Sequence, residues 1–427
     1  MYETCKRQGK AMFSLFSLRR STCRHRADRR FGGLAALTLV TVSLGCTHQG
    51  RPALKSAVER IASDRRASLA QELNPEMIDH GRLESYQRVA LKSHPALHAQ
   101  FERFKSSVFM LSGANALPEP KVTFGMFVDT MSAIHGSEKA RLKLEQEVPW
   151  YGELRSALEA AVARSQVELK TFEAQAIHLR QQVGSAYWQL WELRATRTLH
   201  EEHQDILRQV AEAARARVST GMATLAELQQ IELEIVKVSD ALDGMTEAEL
   251  RAEAKLAEAL GLPKRRALLT NDGPGAVGLP KLEEPALRLL ALEHPALQTL
   301  VAERGAAEAI LRGENSTRYP SFVVGGERMW MEHAFGNELM QDDAFMIAIG
   351  MRVPLWQGVY SDRVDAAQAH LDARESDYQA MVNVVGLRVA EAYSRVRDAY
   401  RRTRVYTQTL VPQAEAVHES VLGAYTV

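Results

Sequence analysis

The stretch Arg141–Leu158, "RLKLEQEVPWYGELRSAL", changes its period halfway along. As far as Val148 it alternates. Leu142, Leu144 and Val148 fall on one face, with Gln146 the exception, and Arg141, Lys143, Glu145 and Glu147 fall on the other. Such alternation predicts a β-strand. A half-buried strand of a soluble sheet can carry it, and a transmembrane barrel strand with lipid outside and water inside must carry it. The four charged residues are therefore either lumen lining or the exposed face of a soluble sheet. Beyond Pro149 the apolar positions recur at three-to-four spacing. One helix is predicted from Gly152 to Val218, without proline and with a single interior glycine, Gly184. At 1.5 Å per residue it would be roughly 100 Å long. No globular core needs such a helix; a wall or tunnel does.

The strand-to-helix junction returns later in the chain, together with its flanks. "VPWYGELRSALEAAVA" from Val148 is echoed by "VPLWQGVYSDRVDAAQA" from Val353, and "VGSAYWQLW" from Val183 by "VAEAYSRVR" from Val389. "ARARVST" from Ala214 is echoed by "VLGAYTV" from Val421, and "HPAL" at His94–Leu97 recurs at His294–Leu297. Four anchors in order and at nearly constant offset mark a tandem duplication of one long unit. Each copy predicts a modest helix ending at "HP", a second helix, a β-rich pair and a very long helical region. The first copy spans 81–265 and the second 280–427.

The β pairs are "KVTFGMFVD" from Lys121 with the strand ending at Val148, and "SFVVGGERMWM" from Ser321 with "AFMIAIGMRVPLW" from Ala344. In the last of these Phe345, Ile347, Ile349, Met351 and Val353 share one face, while Ala348, Gly350 and Arg352 share the other. Four strands with open edges cannot stand alone in lipid, where each unpaired backbone group costs several kcal/mol. Closure needs other subunits.

The first long helix breaks at "STGMAT" (Ser219–Thr224), and "LAELQQIELEIVKVSDALDGM" then runs back antiparallel. Leu225, Leu228, Ile235, Val238, Leu242 and Met245 lie near heptad phase, and "LGLPKRR" stops the helix. The second copy reaches Tyr425-Thr426-Val427, one residue before the position equivalent to Gly221. It is expected to be C-terminally truncated, without its own tip and returning helix.

The composition, 46% hydrophobic and 25% charged, is that of a folded chain with no disordered bulk. The formal charge is zero but unevenly placed: residues 1–45 hold nine Lys and Arg against two Asp and Glu, leaving 44 against 51 afterwards. A net negative remainder argues against nucleic acid as a partner. The basic "RRSTCRHRADRR" followed by "FGGLAALTLVTVSLGC" is too short and one-sided for a spanning helix, and predicts a signal peptide over 1–45. It ends at Gly45-Cys46, which resembles a bacterial lipobox, although Ser43 and Leu44 depart from the usual residues there. Of three cysteines, Cys5 and Cys23 lie in the leader, so the mature chain would carry Cys46 alone and no disulfide. Residues 46–80 are polar and weakly patterned, suiting a lipid-anchored tether or wrapped extension.

Catalytic signals are weak, and no enzyme is expected. "HEEHQD" from His200 lacks the spacer of a helical zinc site, so His200 and Glu201 are assigned to a solvated helix face. The two "HP" histidines sit at helix boundaries and suit turns. "MWMEH" (Met329–His333) carries soft ligands able to hold Cu(I), but strand packing accounts for most such runs. No phosphate loop or nucleophile constellation is present, and neither a cofactor nor a metal site is expected.

The duplicated helix–strand–strand–helix unit, with "QEVPWYGELRSAL", "VGSAYWQLWE" and "ARARVSTGMATLAELQQIELE", closely resembles TolC-type outer-membrane efflux proteins over about Leu83 to Val427. The junction looks most like the heavy-metal and multidrug exporter branches, and Val218 stands where the family often has an aromatic. The resemblance implies an α+β membrane protein: a homotrimer with a twelve-stranded β-barrel continued by a long periplasmic α-helical barrel. It implies a passive exit duct in the outer-membrane lipid for metal ions, drugs or other small molecules. An inner-membrane pump and a periplasmic adaptor would deliver them. Gly221, Met222, Ala223 and Thr224 match the tip that meets the adaptor, where glycine permits a tight turn and small side chains permit close approach. The rival is a periplasmic coiled-coil scaffold or adaptor without a pore, which a duplicated unit with two strand pairs does not suit. The leader makes one expectation testable at once. Radiolabelled palmitate should enter the wild type and not Cys46→Ala; equal labelling of both would show that Cys46 is no anchor.

Overall fold

The computed structural model describes residues 50–70, 81–128, 137–262, 268–275, 278–335 and 338–425. The leader 1–45 and Cys46 lie outside them. The extension contains α1 (Gly50–Ala70), and the first copy contains α2 (Leu83–Ser93), α3 (Pro95–Met110), β1 (Lys121–Met126), β2 (Ser137–Val148), α4 (Tyr151–Ser219) and α5 (Leu225–Ala259). The second contains α6 (Glu284–Ala291), α7 (Pro295–Ser316), β3 (Ser321–Phe335), β4 (Glu338–Arg352) and α8 (Gln357–Val405). A π-helical turn at Tyr406–Leu410 then leads into α9 (Val411–Tyr425). Helix α4, at 69 residues, is the long wall that the periodicity predicts.

The duplication is visible in local chemistry. At both "HP" turns the histidine caps the helix that follows: Nδ1 of His94 accepts a hydrogen bond from the Ala96 amide at 3.2 Å, and His294 does the same for Ala296 at 3.2 Å. Pro95 and Pro295 occupy first-turn positions, where a missing N–H is no loss. Both histidines therefore have turn roles.

Helix α5 ends at Gly261, whose φ is +70°, with Gly261 N–H bonded to Glu258 O and Leu262 N–H to Ala257 O at 2.9 and 3.0 Å. A side chain there would strike Pro95 Cδ at 2.9 Å and His94 Cα at 3.0 Å, so the returning helix closes directly onto the first "HP" turn. The core at this level interleaves Tyr86 and Val89 of α2, Leu179, Val183, Tyr187 and Leu190 of α4, and Leu256 and Leu260 of α5. The apolar positions of α4 and α5 recur every three to four residues and so form one stripe on each helix.

Part of the polar extension is a helix, α1, with Leu54, Ala57 and Val58 packed against Phe101, Phe104 and Val108 of α3 and Leu158 and Val162 of α4. Three apolar residues at positions i, i+3 and i+4 are enough to dock a helix whose remaining surface is charged, which composition alone hid.

Helices α4 and α7 approach closely below the sheet through small residues: buried Ser156, Ala163 and Ser165 face a helix with buried Ala306, Ala307 and Ala309. Ser156 and Ser316 hydroxyls lie 3.3 Å apart. Burial would raise the pKa of Glu159 nearby, but the Arg155 and Arg312 guanidiniums outweigh it and hold the carboxyl below its ordinary value.

The connector between the copies is tied down polar group by polar group. Arg194 of α4 reaches Glu249 and Glu253 of α5 at 2.6 and 2.8 Å and the Leu268 carbonyl at 2.6 Å. The Leu83 amide, at the start of α2, donates to the Asp272 carboxylate at 2.7 Å. Fully buried Tyr187 joins both: its hydroxyl donates to the Gly81 carbonyl at 2.8 Å and accepts from the Asp272 amide at 2.9 Å. Burial pushes its pKa up, so the stability this phenol contributes is present below about pH 10 and lost as pH climbs through the folded value. Tyr187→Phe leaves two backbone groups unsatisfied and should destabilise by about 1–2 kcal/mol in urea unfolding followed by circular dichroism. An unchanged midpoint would mean that water replaces the hydroxyl.

Candidate functional site

The four strands form one antiparallel sheet in the order β1-β2-β3-β4, so the two copies of the unit join through β2 and β3, and β1 and β4 lie at the edges. Register sorts every described side chain onto one of two faces, because directly opposed residues point the same way.

One face is apolar and open. It carries Val122, Phe124 and Met126 of β1, Leu142 and Leu144 of β2, Phe322 and Val324 of β3, and Phe345, Ile347, Ile349 and Met351 of β4. All eleven are exposed, Ile349 to 77%. A patch this continuous marks contact with lipid or protein rather than with water. Gln146, the exception on this face, has its amide satisfied by the Pro118 and Glu147 carbonyls at 2.7 and 2.8 Å.

Aromatic and charged residues bracket the apolar field. At one end Trp150 stacks on Tyr319 at 5.1 Å, with Tyr151 and Trp356 exposed beside the strand ends. At the other, Arg328 lies 5.2 Å over the Trp330 ring and pairs with Asp343. From Phe322 to Trp330, eight steps at about 3.3 Å cover roughly 26 Å of strand. At the tilt of about 35–45° usual for barrel strands, that length gives about 20 Å of height, a little less than the roughly 25 Å apolar band between two aromatic girdles.

The opposite face is charged. Arg141, Lys143, Glu145, Glu147 and Arg352 all lie on it, and each has an ion partner there. Arg352 meets Glu147 at 2.6 Å, Lys143 meets Glu145 at 2.7 Å, and Arg141 lies 2.6 Å from Glu138 and 2.7 Å from Glu327. Glu327, only 5% exposed, was not singled out from the sequence. Its signal was its parity with Val323 and Gly325 in "SFVVGGERMWM", which becomes legible once β3 is registered against Lys143.

The distant end of the helical hairpin is the tip. Gly221 has a φ of +72°, with its own amide bonded to Val218 O at 3.1 Å and the Met222 amide to Arg217 O at 2.9 Å. Thr224 then opens α5, its hydroxyl accepting from the Glu227 amide at 3.3 Å. Two residues, Met222 and Ala223, are left to make the turn, and Met222 is 72% exposed.

Elsewhere, Glu201 is exposed and lies 3.6 Å from Arg197, whereas His200 is half-buried with Nδ1 unbonded, so only Glu201 sits on a solvated face. His333 belongs to a stretch whose side chains are not described. Among the described residues no group of three or more His, Cys, Asp or Glu is arranged to hold a metal ion, and no helix is long and apolar enough to cross a membrane.

A sheet with an open apolar face and a charged reverse, set on helices of this length, is the architecture of outer-membrane channels. The structure is similar to the outer-membrane channel OprN, at TM-score 0.66 and 16% identity over 82% of this chain and 81% of that one. It is similar to VceC from Vibrio cholerae at 0.64 and 18%, covering 81% and 85%, and to the MtrE channel of Neisseria gonorrhoeae at 0.64 and 17%, covering 80% and 79%. No curated protein sequence matches. The family model described as outer membrane efflux protein matches residues 110–262 and 286–419, and the chain belongs to that family. It is an outer-membrane efflux duct.

The tip geometry carries its own prediction. Gly221→Ala forces an L side chain into the left-handed region at about 1–2 kcal/mol. Amide exchange over Val218–Thr224 should accelerate while the sheet's protection is unchanged; equal protection at the tip would mean that the turn relaxes without strain.

Proposed function

We propose that this chain works as a homotrimer, in which three four-stranded sheets close into one twelve-stranded barrel and the long helices form a periplasmic tunnel. The observation that carries this reading is the two-faced sheet with open edges. In lipid an unpaired strand edge costs several kcal/mol for each backbone group, so β1 of one copy must pair with β4 of the next. The apolar face then meets lipid, and Arg141, Lys143, Glu145, Glu147 and Arg352 line a water-filled lumen. Helix α8 fits the same assembly. Ala367 is its one buried residue among those described, while Val384, Leu387 and Val396 remain exposed for neighbours to cover.

In this reading substrates enter passively from an inner-membrane pump through a periplasmic adaptor that meets Gly221–Thr224. Small side chains and a two-residue turn let another helical hairpin approach there. The leader 1–45 directs export, Cys46 is the lipid anchor, and residues 46–80, through α1, fasten it to the helices. A scaffold or adaptor without a pore would have no use for eleven exposed apolar side chains opposite a paired charge ladder.

The faces are tested by neighbouring residues. Lys143→Glu should change ion selectivity in planar bilayers while trimers still assemble. Leu144→Arg should impair insertion by about 2–4 kcal/mol near the bilayer midplane. The opposite ranking would mean that lipid and lumen faces are reversed.

A further inference from the structure

The seam inside one chain, where β2 meets β3, has a counterpart that a single chain leaves open. The duplication relates β3 to β1 at an offset of 200, with Pro320 and Gly325 falling on Pro120 and Gly125. It relates β2 to β4 at an offset of 205, with Val148 and Pro149 falling on Val353 and Pro354. The two edge strands are thus the equivalents of the two strands that already pair. Their junctions correspond as well. Trp150 and Trp356 are the N-cap residues of the long helices α4 and α8. Trp150 stacks on Tyr319, just ahead of β3, and is 39% exposed, whereas Trp356 is 76% exposed. The equivalent of Tyr319 is Glu119, in the connection 117–120 that leads into β1. Leu117, Pro118, Glu119 and Pro120 are all exposed, and Gln146 holds the Pro118 carbonyl at 2.7 Å.

Within the chain Glu147 faces Val323, and their equivalents are Arg352 and Thr123. Duplication alone fixes that pairing only to within two residues, because the hairpins differ by that much. Lys121 faces Glu145, whose equivalents are Ser321 and Gly350, yet Ser321 faces Arg352. Side-chain chemistry makes the choice. With Arg352 opposite Thr123, Phe124 meets Met351 and Met126 meets Ile349 on the apolar face, and Gly125 meets Gly350 on the charged one. A slip of one residue would turn the apolar side chains to the wrong face. A slip of two in one direction sets Arg352 against Lys121, like charges directly opposed. In the other direction it draws Pro354, which has no N–H to donate, into the ladder opposite Thr123. The stagger agrees. Thr123, Lys143, Glu327 and Met346 lie in one line across the sheet, and Arg352 is six residues beyond Met346. Six residues at about 3.3 Å against four strands at about 4.8 Å give a tilt of about 45°, whereas eight would give about 54°. Barrel strands tilt by about 35–45°.

We propose that two copies of this chain meet with Arg352 of one opposite Thr123 of the next, and that Trp356 of the first lies over residues 117–120 of the second. The seam between copies then repeats the seam within one, with Trp356 in the place of Trp150. It rests on the trimeric reading and adds to it a register and an aromatic contact. Leu117, Pro118 and Pro120 offer the indole an apolar surface held in place by Gln146, and an indole supplies a large contact area where one side of the ring is apolar and the other wet. Lying just past the end of the ladder, Trp356 is placed to hold the two edges in register.

The full chain, purified in detergent, is given one pair of cysteines at a time and oxidised. Opposed residues of an antiparallel pair have Cα atoms about 4.5–5.5 Å apart, within disulfide reach, and diagonal ones lie at about 7–8 Å, beyond it. Thr123→Cys combined with Arg352→Cys should give covalent dimers and trimers in a non-reducing denaturing gel. Lys121→Cys or Phe124→Cys combined with Arg352→Cys should give no more than the single variants, which carry the same Cys5, Cys23 and Cys46 background. Particle mass under reductant, with circular dichroism, checks that each variant folds and assembles. Trp356→Ala should lower the temperature at which trimers dissociate, and an unchanged temperature would overturn the aromatic contact. Linkage through Lys121→Cys in place of Thr123→Cys would keep the trimer and overturn the register, as would trimers that no pair links. Monomers throughout, the wild type included, would remove the trimer and the seam with it.

Discussion

Everything in this structure answers to one constraint: a β-sheet edge cannot face hydrocarbon with its hydrogen bonds unmade. The sheet has one exposed and largely apolar face, yet stops at β1 and β4 with a ladder open on each side. A soluble sheet could leave those edges to water, and a single-chain barrel would add strands until it closed. With four strands per chain, partners must supply the pairing. On the proposed trimeric reading, that requirement makes assembly a condition of membrane insertion, and it accounts for the exposed apolar residues of α8.

The helices meet a different demand, which is length without collapse. A 69-residue helix cannot fold back on itself to bury its stripe, so it is packed in segments. α1 and α3 cover it near the sheet, α2 and α5 cover it at the level of Tyr187, and α5 alone follows it to the tip. At the middle level apolar packing gives way to polar fastening. Arg194, Tyr187 and Asp272 tie the connector to the helices of the first copy through hydrogen bonds, which fix position more sharply than apolar contact. Glycine appears where this fastening needs close approach: Gly81 and Gly261 both take positive φ, and a side chain at either would meet a neighbour inside 3 Å.

Charge on the sheet is distributed with the same economy. The ladder from Arg352 through Glu147, Glu145, Lys143, Arg141 and Glu327 pairs nearly every cation with an anion, which lowers the cost of crowding charges onto one face. On the other face Arg328, Asp343 and Trp330 form a cluster that suits the boundary between hydrocarbon and headgroups.

The sequence by itself determined the periods: two-residue alternation in Arg141–Val148, helical spacing from Gly152, a repeat near 200 residues, and turn chemistry at His94, Gly221 and Gly261. These are local properties, written in side-chain order, and the alternation of Arg141, Lys143, Glu145 and Glu147 already placed them on one face. It did not determine which strands are neighbours. That depends on hydrogen bonds between residues far apart in the chain, and only the register of β2 on β3 and of β3 on β4 brings Glu327 to Arg141 and Arg352 to Glu147. Nor could composition reveal the docking of α1, because Leu54, Ala57 and Val58 are ordinary residues until α3 and α4 provide the groove. Period is inherited from the chain, and juxtaposition is created by folding. The long helix and the tip were therefore legible in advance, whereas the ladder of ion pairs became visible only in three dimensions.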